Sequence, residues 1–389
     1  MPALSFDNTE IAFRYRNNKE LKRAHFLFSS MSSPALTKIG TTFTKLAISW
    51  HLPIKGIIKN TIYRQFCGGE TIEETAVTAK ILEPYHVGIA LDYGVEGKEG
   101  EDEFDQAVPQ FIRTIEYAAT QNNIPFIPIK ITGFARFSLL EKLHAGAALN
   151  NTETAEWRRV EQRINAICAA AAAKDLMILI DAEESWIQQP VDELADSMME
   201  RFNKTKVTVF NTFQMYRHDR LVFLKQSLEK ATKNNYLLGA KIVRGAYMEK
   251  ERKRAEEKGY PSPIQPDKQS TDNDYNEAVA FCLEHLDKLA VFIGTHNEHS
   301  CQEATRIMQQ KGIAPSNNHV YFSQLYGMSD NITFNLADAG FHVSKYLPYG
   351  PVEDVIPYLL RRAQENTSVA GQTGRELSLI KKEMKRRGI

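Results

Sequence analysis

Tyr358, Arg361, Arg362 and Glu365 fall at i, i+3, i+4 and i+7 of one run, so in a helix they share a face. Pro351 and Pro357 are both first-turn residues by type, and the helix is expected to begin at one of them. Two guanidinium forks on one face match the geometry of a carboxylate. A unit charge pair near ~4 Å is worth about 4 kcal/mol at an effective dielectric of ~20, before desolvation is subtracted. On its own, an Arg-Arg-x-x-Glu face is most simply a solvated helix with internal ion pairs. Its position after Tyr346-Leu347-Pro348-Tyr349-Gly350-Pro351, at the end of the last strand-like run, favours a ligand instead.

Other polar residues sit where apolar runs end. Lys130 closes Pro128-Ile129-Lys130, where a lysine is costly unless its ammonium meets an acid or a solvated site. Asp181 ends Ile178-Leu179-Ile180-Asp181, and its bland reading is a helix cap or a pair with a neighbouring cation. Lys241-Ile242-Val243-Arg244 runs into Gly245-Ala246-Tyr247, a stretch without bulk that lets backbone amides approach a flat or phosphorylated ligand, or simply makes a tight turn. Thr295-His296-Asn297 offers hydroxyl, imidazole and amide groups. His296 and His299 are the start of a metal site, but no third ligand converges in the sequence.

These residues need a scaffold that gathers strand ends. From Tyr85 onward, β-rich apolar runs alternate with helical stretches: 86–91, 126–132, 176–182, 207–213, 240–245, 290–294, 319–322 and 341–346. Eight runs without alternating polarity predict parallel strands buried on both faces, and hence a (βα)8 barrel, an α/β fold of the TIM type. Lys130, Asp181, Gln214, Arg244, His296, Gln324 and Tyr346 would then stand at its C-terminal mouth. No GxGxxG opens a βαβ unit, which disfavours a Rossmann site. Residues 1–80 are expected to form an N-terminal helical arm, and 81–389 the barrel. No acid occurs between Leu21 and Gly69, so this stretch is expected either to pack on the barrel or to approach anionic lipid. The charged segment 249–274 predicts a solvated helix followed by a surface loop.

Lys plus Arg and Asp plus Glu both total 48, a balance that disfavours bulk nucleic-acid binding. The four cysteines are scattered singly, as idle thiols in a reducing compartment would be. The first twenty residues lack an apolar core, and no run is long enough to span a bilayer, so a cytoplasmic location is expected.

Taken in order, Ile180-Asp181-Ala182-Glu183-Glu184, Arg244-Gly245-Ala246-Tyr247-Met248-Glu249, Thr295-His296-Asn297, Phe322 to Met328, and Tyr346 through Arg361-Arg362 to Asn366 resemble the proline dehydrogenase family, in its monofunctional branch. The resemblance implies a distorted (βα)8 barrel that binds FAD. It implies oxidation of L-proline to Δ1-pyrroline-5-carboxylate, with hydride passing to flavin N5 and electrons onward to a membrane quinone, the first step of proline catabolism. It further implies that Arg361, Arg362 and Lys130 bind the carboxylate. Tyr247, Leu325, Tyr346 and Tyr358 would wall the ring, with Asp181 in the catalytic network. Flavin contacts are implied for Ala182, Gln214, Lys241, Val243, Arg244, Gly245, Ala246, Thr271, Thr295, His296, Asn297, Arg362 and Glu365. Lys241 stands where bacterial relatives often carry arginine, and Met248 where many carry tryptophan. The family context makes 21–69 a candidate for peripheral contact with the inner face of a membrane. The rival readings are hydroxyproline dehydrogenase on the same fold, a metal-dependent barrel lyase or hydrolase around His296 and His299, and a flavin-binding protein without turnover.

Overall fold

In a computed structural model, residues 4–32, 55–94, 100–368 and 372–389 are described, except for the side chains of 57, 363–368 and 372. Eight strands close into a barrel in chain order. They are β1 (Val87–Tyr93), β2 (Phe126–Ile129), β3 (Met177–Ile180), β4 (Val209–Gln214), β5 (Leu238–Val243), β6 (Leu289–Gly294), β7 (Val320–Leu325) and β8 (Val343–Tyr349). Ladders such as β1 with β8 and β4 with β5 are parallel, with helices between successive strands. The (βα)8 expectation therefore holds. All eight expected runs are strands, because Val, Ile, Leu and Phe pack on both faces of a parallel sheet.

Some boundaries differ from expectation; β2, for example, ends at Ile129 and not at 132. β8 continues to Tyr349, so Tyr346 lies within the strand and does not end it. The expected helix and following loop are present as Met248–Lys258 and residues 259–267, but the loop stops earlier than residue 274: Asp267 caps a second helix, Lys268–Glu284, by accepting from the Ser270 N–H at 2.7 Å. A cluster of Asp, Ser, Thr and Asn resembles a loop and a helix start equally well until a cap is formed. The final question of sequence, Pro351 or Pro357, resolves to Pro351. Its carbonyl accepts from Asp354 at 3.0 Å, the helix is Val352–Ser368, and Pro357 lies inside it.

By its contacts the chain forms two units, residues 97–323 and residues 1–96 with 324–389. In the first, Phe126, Phe210 and Phe292 come from the alternate strands β2, β4 and β6. Phe126 meets the other two edge-on, at centroid separations of 6.3 and 4.9 Å. Such a layer from alternate strands makes the barrel interior a packed core and not a pore.

In the other unit, the helices Asn18–Met31, Val352–Ser368 and Gln372–Arg387 share an apolar cluster containing Phe28, Phe66, Val352, Val355, Leu359, Leu379 and Ile380. A reciprocal Asn17–Glu20 capping box starts the first of these helices. Lys55 and Lys59 belong to the acid-free stretch and reach outside it for acids: Lys55 lies 3.6 Å from Glu353, and Lys59 pairs with Glu70. Lys38 and Lys45, also in the acid-free stretch, lie outside the described residues. Among the described residues, no helix is long and apolar enough to cross a membrane.

This unit also buries charge. Lys345 on β8 is fully buried, with its ammonium 2.9 Å from the Asp330 carboxylate and 2.5 Å from the Met328 carbonyl. Tyr15 Oη and Arg16 Nε donate to the other Asp330 oxygen at 2.8 and 3.1 Å. Burial alone would raise the Asp330 carboxyl, but Lys345 and Arg16 hold it below its ordinary value. Removing one partner of such a pair leaves the other charge buried and uncompensated. Asp330→Ala should therefore cost about 3–5 kcal/mol of stability in urea titrations, against under about 1 kcal/mol if the pair were dispensable.

Candidate active site

Three strands of the 97–323 unit bring three charges together. Lys130 follows β2, Asp181 follows β3, and Lys241 lies on β5. Asp181 Oδ2 is 3.1 Å from Lys130 Nζ, and its Oδ1 is 2.5 Å from Lys241 Nζ. All three side chains are at most 16% exposed. Two ammoniums flank one carboxylate where screening is weak, a cationic arrangement that suits an anionic or electron-rich ligand. The sequence-based reading of Lys130 and Asp181 thus meets in one cluster, and the bland reading of Asp181 as an ion-pair partner holds as well.

Immediately beyond, Asp181 to Gln188 are all buried. Glu183 accepts from Thr132 N at 3.2 Å and from Thr132 Oγ1 at 2.5 Å. Its own N–H donates to Gln188 Oε1 at 3.0 Å, and its carbonyl accepts from Gln214 Nε2 at 2.7 Å. The predicted Gln214, at the end of β4, thereby ties β4 to the β3 loop, and Ala182 lies buried within that loop. Burial pushes the Glu183 carboxyl up to about 7, the Glu184 carboxylate adding to it against the Thr132 hydrogen bonds.

The end of β5 is held by its arginine. Arg244 donates to Asp272 at 2.8 Å, Thr295 Oγ1 at 2.8 Å and Ser300 Oγ at 2.9 Å, and its guanidinium stands 4.2 Å from the Tyr275 ring centroid. Gly245 is required by its neighbour as well as by its backbone: φ is +133°, and a Cβ would meet the Tyr216 ring at 2.5 Å. Gly245 and Ala246 are exposed, while Val243 and Tyr247 are half-buried. Thr271 is nearly buried on the helix Lys268–Glu284, its hydroxyl on the Asp267 carbonyl at 3.3 Å. Asn297, expected to offer its amide, uses its side-chain oxygen to cap the helix Glu298–Gln310 through Ser300 N at 3.1 Å. His296 is half-buried and His299 exposed. Among the described residues, no three His, Cys, Asp or Glu are grouped as a metal would need.

The remaining predicted residues belong to the other unit. Along β8, successive side chains face opposite ways, so Lys345, turned to Asp330, leaves the half-buried Tyr346 on the opposite face of the strand. The Tyr346 carbonyl accepts from Tyr326 N at 2.9 Å, one residue past Leu325, which ends β7. On the helix Val352–Ser368, Val352, Val355 and Leu359 face the apolar cluster. Tyr358, half-buried, packs against the same cluster, and Arg361 and Arg362 are half-buried, with the Arg362 guanidinium 5.4 Å from the Tyr358 ring centroid. The Glu365 side chain lies outside the described residues. Sequence reasoning passed over Thr132, Glu183 and Ser185 as site residues; the only available signal for Glu183 was its place in an acid-rich run directly after a strand.

A parallel barrel with ionisable residues gathered after β2, after β3 and on β5 defines a (βα)8-barrel enzyme. A family profile described as proline dehydrogenase matches residues 76–375, and the chain belongs to the proline dehydrogenase family. It is 36% identical to the carbapenem antibiotics biosynthesis protein CarD of Pectobacterium carotovorum, over 84% of this chain and 84% of that protein. It is 34% identical to the mitochondrial proline dehydrogenase 1 of Dictyostelium discoideum, over 89% of this chain and 68% of that one. Hydroxyproline dehydrogenase of Xenopus laevis is 30% identical over 99% of this chain and 90% of its own. Among solved structures, proline utilization A from Bdellovibrio bacteriovorus, inactivated by N-propargylglycine, has a TM-score of 0.74 at 19% identity. That match covers 95% of this chain but 40% of the other, and it bears on the fold alone.

The Glu183 shift has a testable sign. Between 4.5 and about 7 the folded state holds more protons than the unfolded one, so stability falls as pH rises through this window and levels off above it. Glu183→Gln should flatten that fall when Tm is followed from about pH 4.5 to about pH 8. An unchanged Tm profile would count against the assignment.

Proposed function

We propose that this protein oxidises L-proline to Δ1-pyrroline-5-carboxylate with FAD as its bound cofactor, electrons then leaving to a membrane quinone. The observation that carries the reading is the Lys130–Asp181–Lys241 cluster, in a chain of the proline dehydrogenase family. The residues present fit a flavin dinucleotide by their chemistry. Lys241, Arg244, Gln214 and Thr295 carry donors, and Gly245 and Ala246 form an exposed stretch without bulk just after β5. With Ala182, Val243, Ala246, Thr271, His296, Asn297, Arg362 and Glu365, these are the residues proposed to hold it. When bound, FAD supplies the two-electron acceptor for the hydride that leaves the proline ring.

The protein's own groups bind and orient. Arg361, Arg362 and Lys130 are assigned the proline carboxylate, which offers two oxygens to several cationic donors. Tyr247, Leu325, Tyr346 and Tyr358 are assigned the ring, whose methylene edge is apolar. Asp181, neutralised by its two lysines, holds Lys130 in place without adding negative charge against the carboxylate. Fixing an otherwise small ligand at both ends lowers the orientational cost of reaction. The acid-free segment 21–69 is the proposed approach to the membrane.

The second reading, hydroxyproline oxidation, is favoured by the Xenopus relative. Tyr346 argues for proline, because a phenol against the ring leaves little room for a ring hydroxyl. The purified protein is expected to be yellow and to bleach anaerobically on addition of L-proline; colour that persists would overturn the assignment. Arg361→Ala or Arg362→Ala should raise KM for L-proline about 10- to 100-fold, since a hydrogen bond to a charged group is worth about 1.5–3 kcal/mol. Tyr346→Ser should shift the ratio of kcat/KM values toward hydroxyproline, and a ratio already favouring hydroxyproline in the parent would establish the second reading.

A further inference from the structure

The helix Met248–Lys258 is charged almost throughout, and most of its residues are exposed. Ala255 and Glu251 are buried, and Glu251, at 0% exposure, is the buried charge among them. Its two carboxylate oxygens accept from Ser185 N and Ser185 Oγ, both at 2.6 Å, four residues beyond Asp181. Its own N–H donates to the Tyr247 carbonyl at 2.9 Å, closing the first turn of the helix. A buried carboxylate is costly, and only such charge-assisted hydrogen bonds offset it. Flanking contacts align with this one. Lys250 pairs with Glu184, and the Arg254 guanidinium lies 4.3 Å from the Trp186 ring centroid. One helix is therefore fastened to Glu184, Ser185 and Trp186 in succession.

We propose that Glu251 is a positioning residue, which holds the Tyr247 turn in register with the Asp181–Ser185 loop and so sets the ring wall against the Asp181 cluster. The proposal rests on the reading of Tyr247 as a substrate contact. The carboxylate acts through geometry and not through charge. A glutamine can keep both bonds, its carbonyl accepting from Ser185 N and its amide donating to Ser185 Oγ. Alanine removes both.

The test uses the full-length flavoprotein. Glu251→Ala should raise KM for L-proline about tenfold with kcat altered less than about twofold, the pattern of a lost binding contact, and Glu251→Gln should restore KM. In a Tyr247→Ala background, Glu251→Ala should add nothing to KM, because both changes remove the same contact. Amide hydrogen exchange across 245–252 should quicken in Glu251→Ala and not in Glu251→Gln. Additive effects on KM, or a Glu251→Gln variant as impaired as Glu251→Ala, would overturn the positioning role. So would unchanged exchange in Glu251→Ala, whatever the substrate. A parent enzyme that fails to bleach with proline would instead overturn the functional reading, leaving the exchange comparison to decide the role of Glu251.

Discussion

Burying Lys130, Asp181 and Lys241 together is the constraint on which the 97–323 unit depends. None of the three is tolerable there alone, since an isolated charge in a weakly polar interior costs several kcal/mol. They come from three positions far apart in the chain, and only the parallel register of β2, β3 and β5 makes them neighbours. The aromatic layer of Phe126, Phe210 and Phe292 packs the same strands, and the Phe292 ring lies 5.8 Å from the Lys241 ammonium. Packing and charge pairing therefore support the same strand register.

The loops beyond the strands extend that logic. Glu183 ties the β3 loop to Thr132 and, through its carbonyl, to Gln214, while Glu251 ties it to the helix that follows β5. Arg244 does the same between β5, the helix Lys268–Glu284 and the loop after β6. Loops at the mouth of a barrel are ordinarily its most variable part. Here buried or half-buried charged side chains hold them to one another, which is how flexible connections can present side chains at defined positions. The Lys345–Asp330–Arg16 group serves a corresponding purpose in the other unit, joining β8, the segment after β7 and the N-terminal helices.

The eight strands and the barrel were legible in the sequence because burial on both faces leaves an unbroken apolar run, a signal that needs no partner to be seen. Lys130 and Asp181 were legible because a charge at the end of such a run is anomalous. Glu251 was not, since a glutamate among Glu, Lys and Arg looks solvated until Ser185 is brought against it. The capping role of Asn297 and the Thr271 bond to Asp267 were not legible for a related reason. Asn, Thr and Asp serve caps, turns and ligands with the same atoms, and sequence cannot say which partner arrives first.

Composition and periodicity by themselves determined the element types, their order, the absence of a Rossmann fingerprint, and the set of polar residues available at the strand ends. These follow from rules that act along the chain: helical spacing, burial on two faces, and the cost of a charge in an apolar run. Tertiary structure alone decided that Asp181 takes two lysines, that Glu183 is dry enough to hold its proton toward about 7, and that Gly245 must clear the Tyr216 ring. Each of these depends on distance and burial between residues remote in sequence, and the chain order carries no information about either.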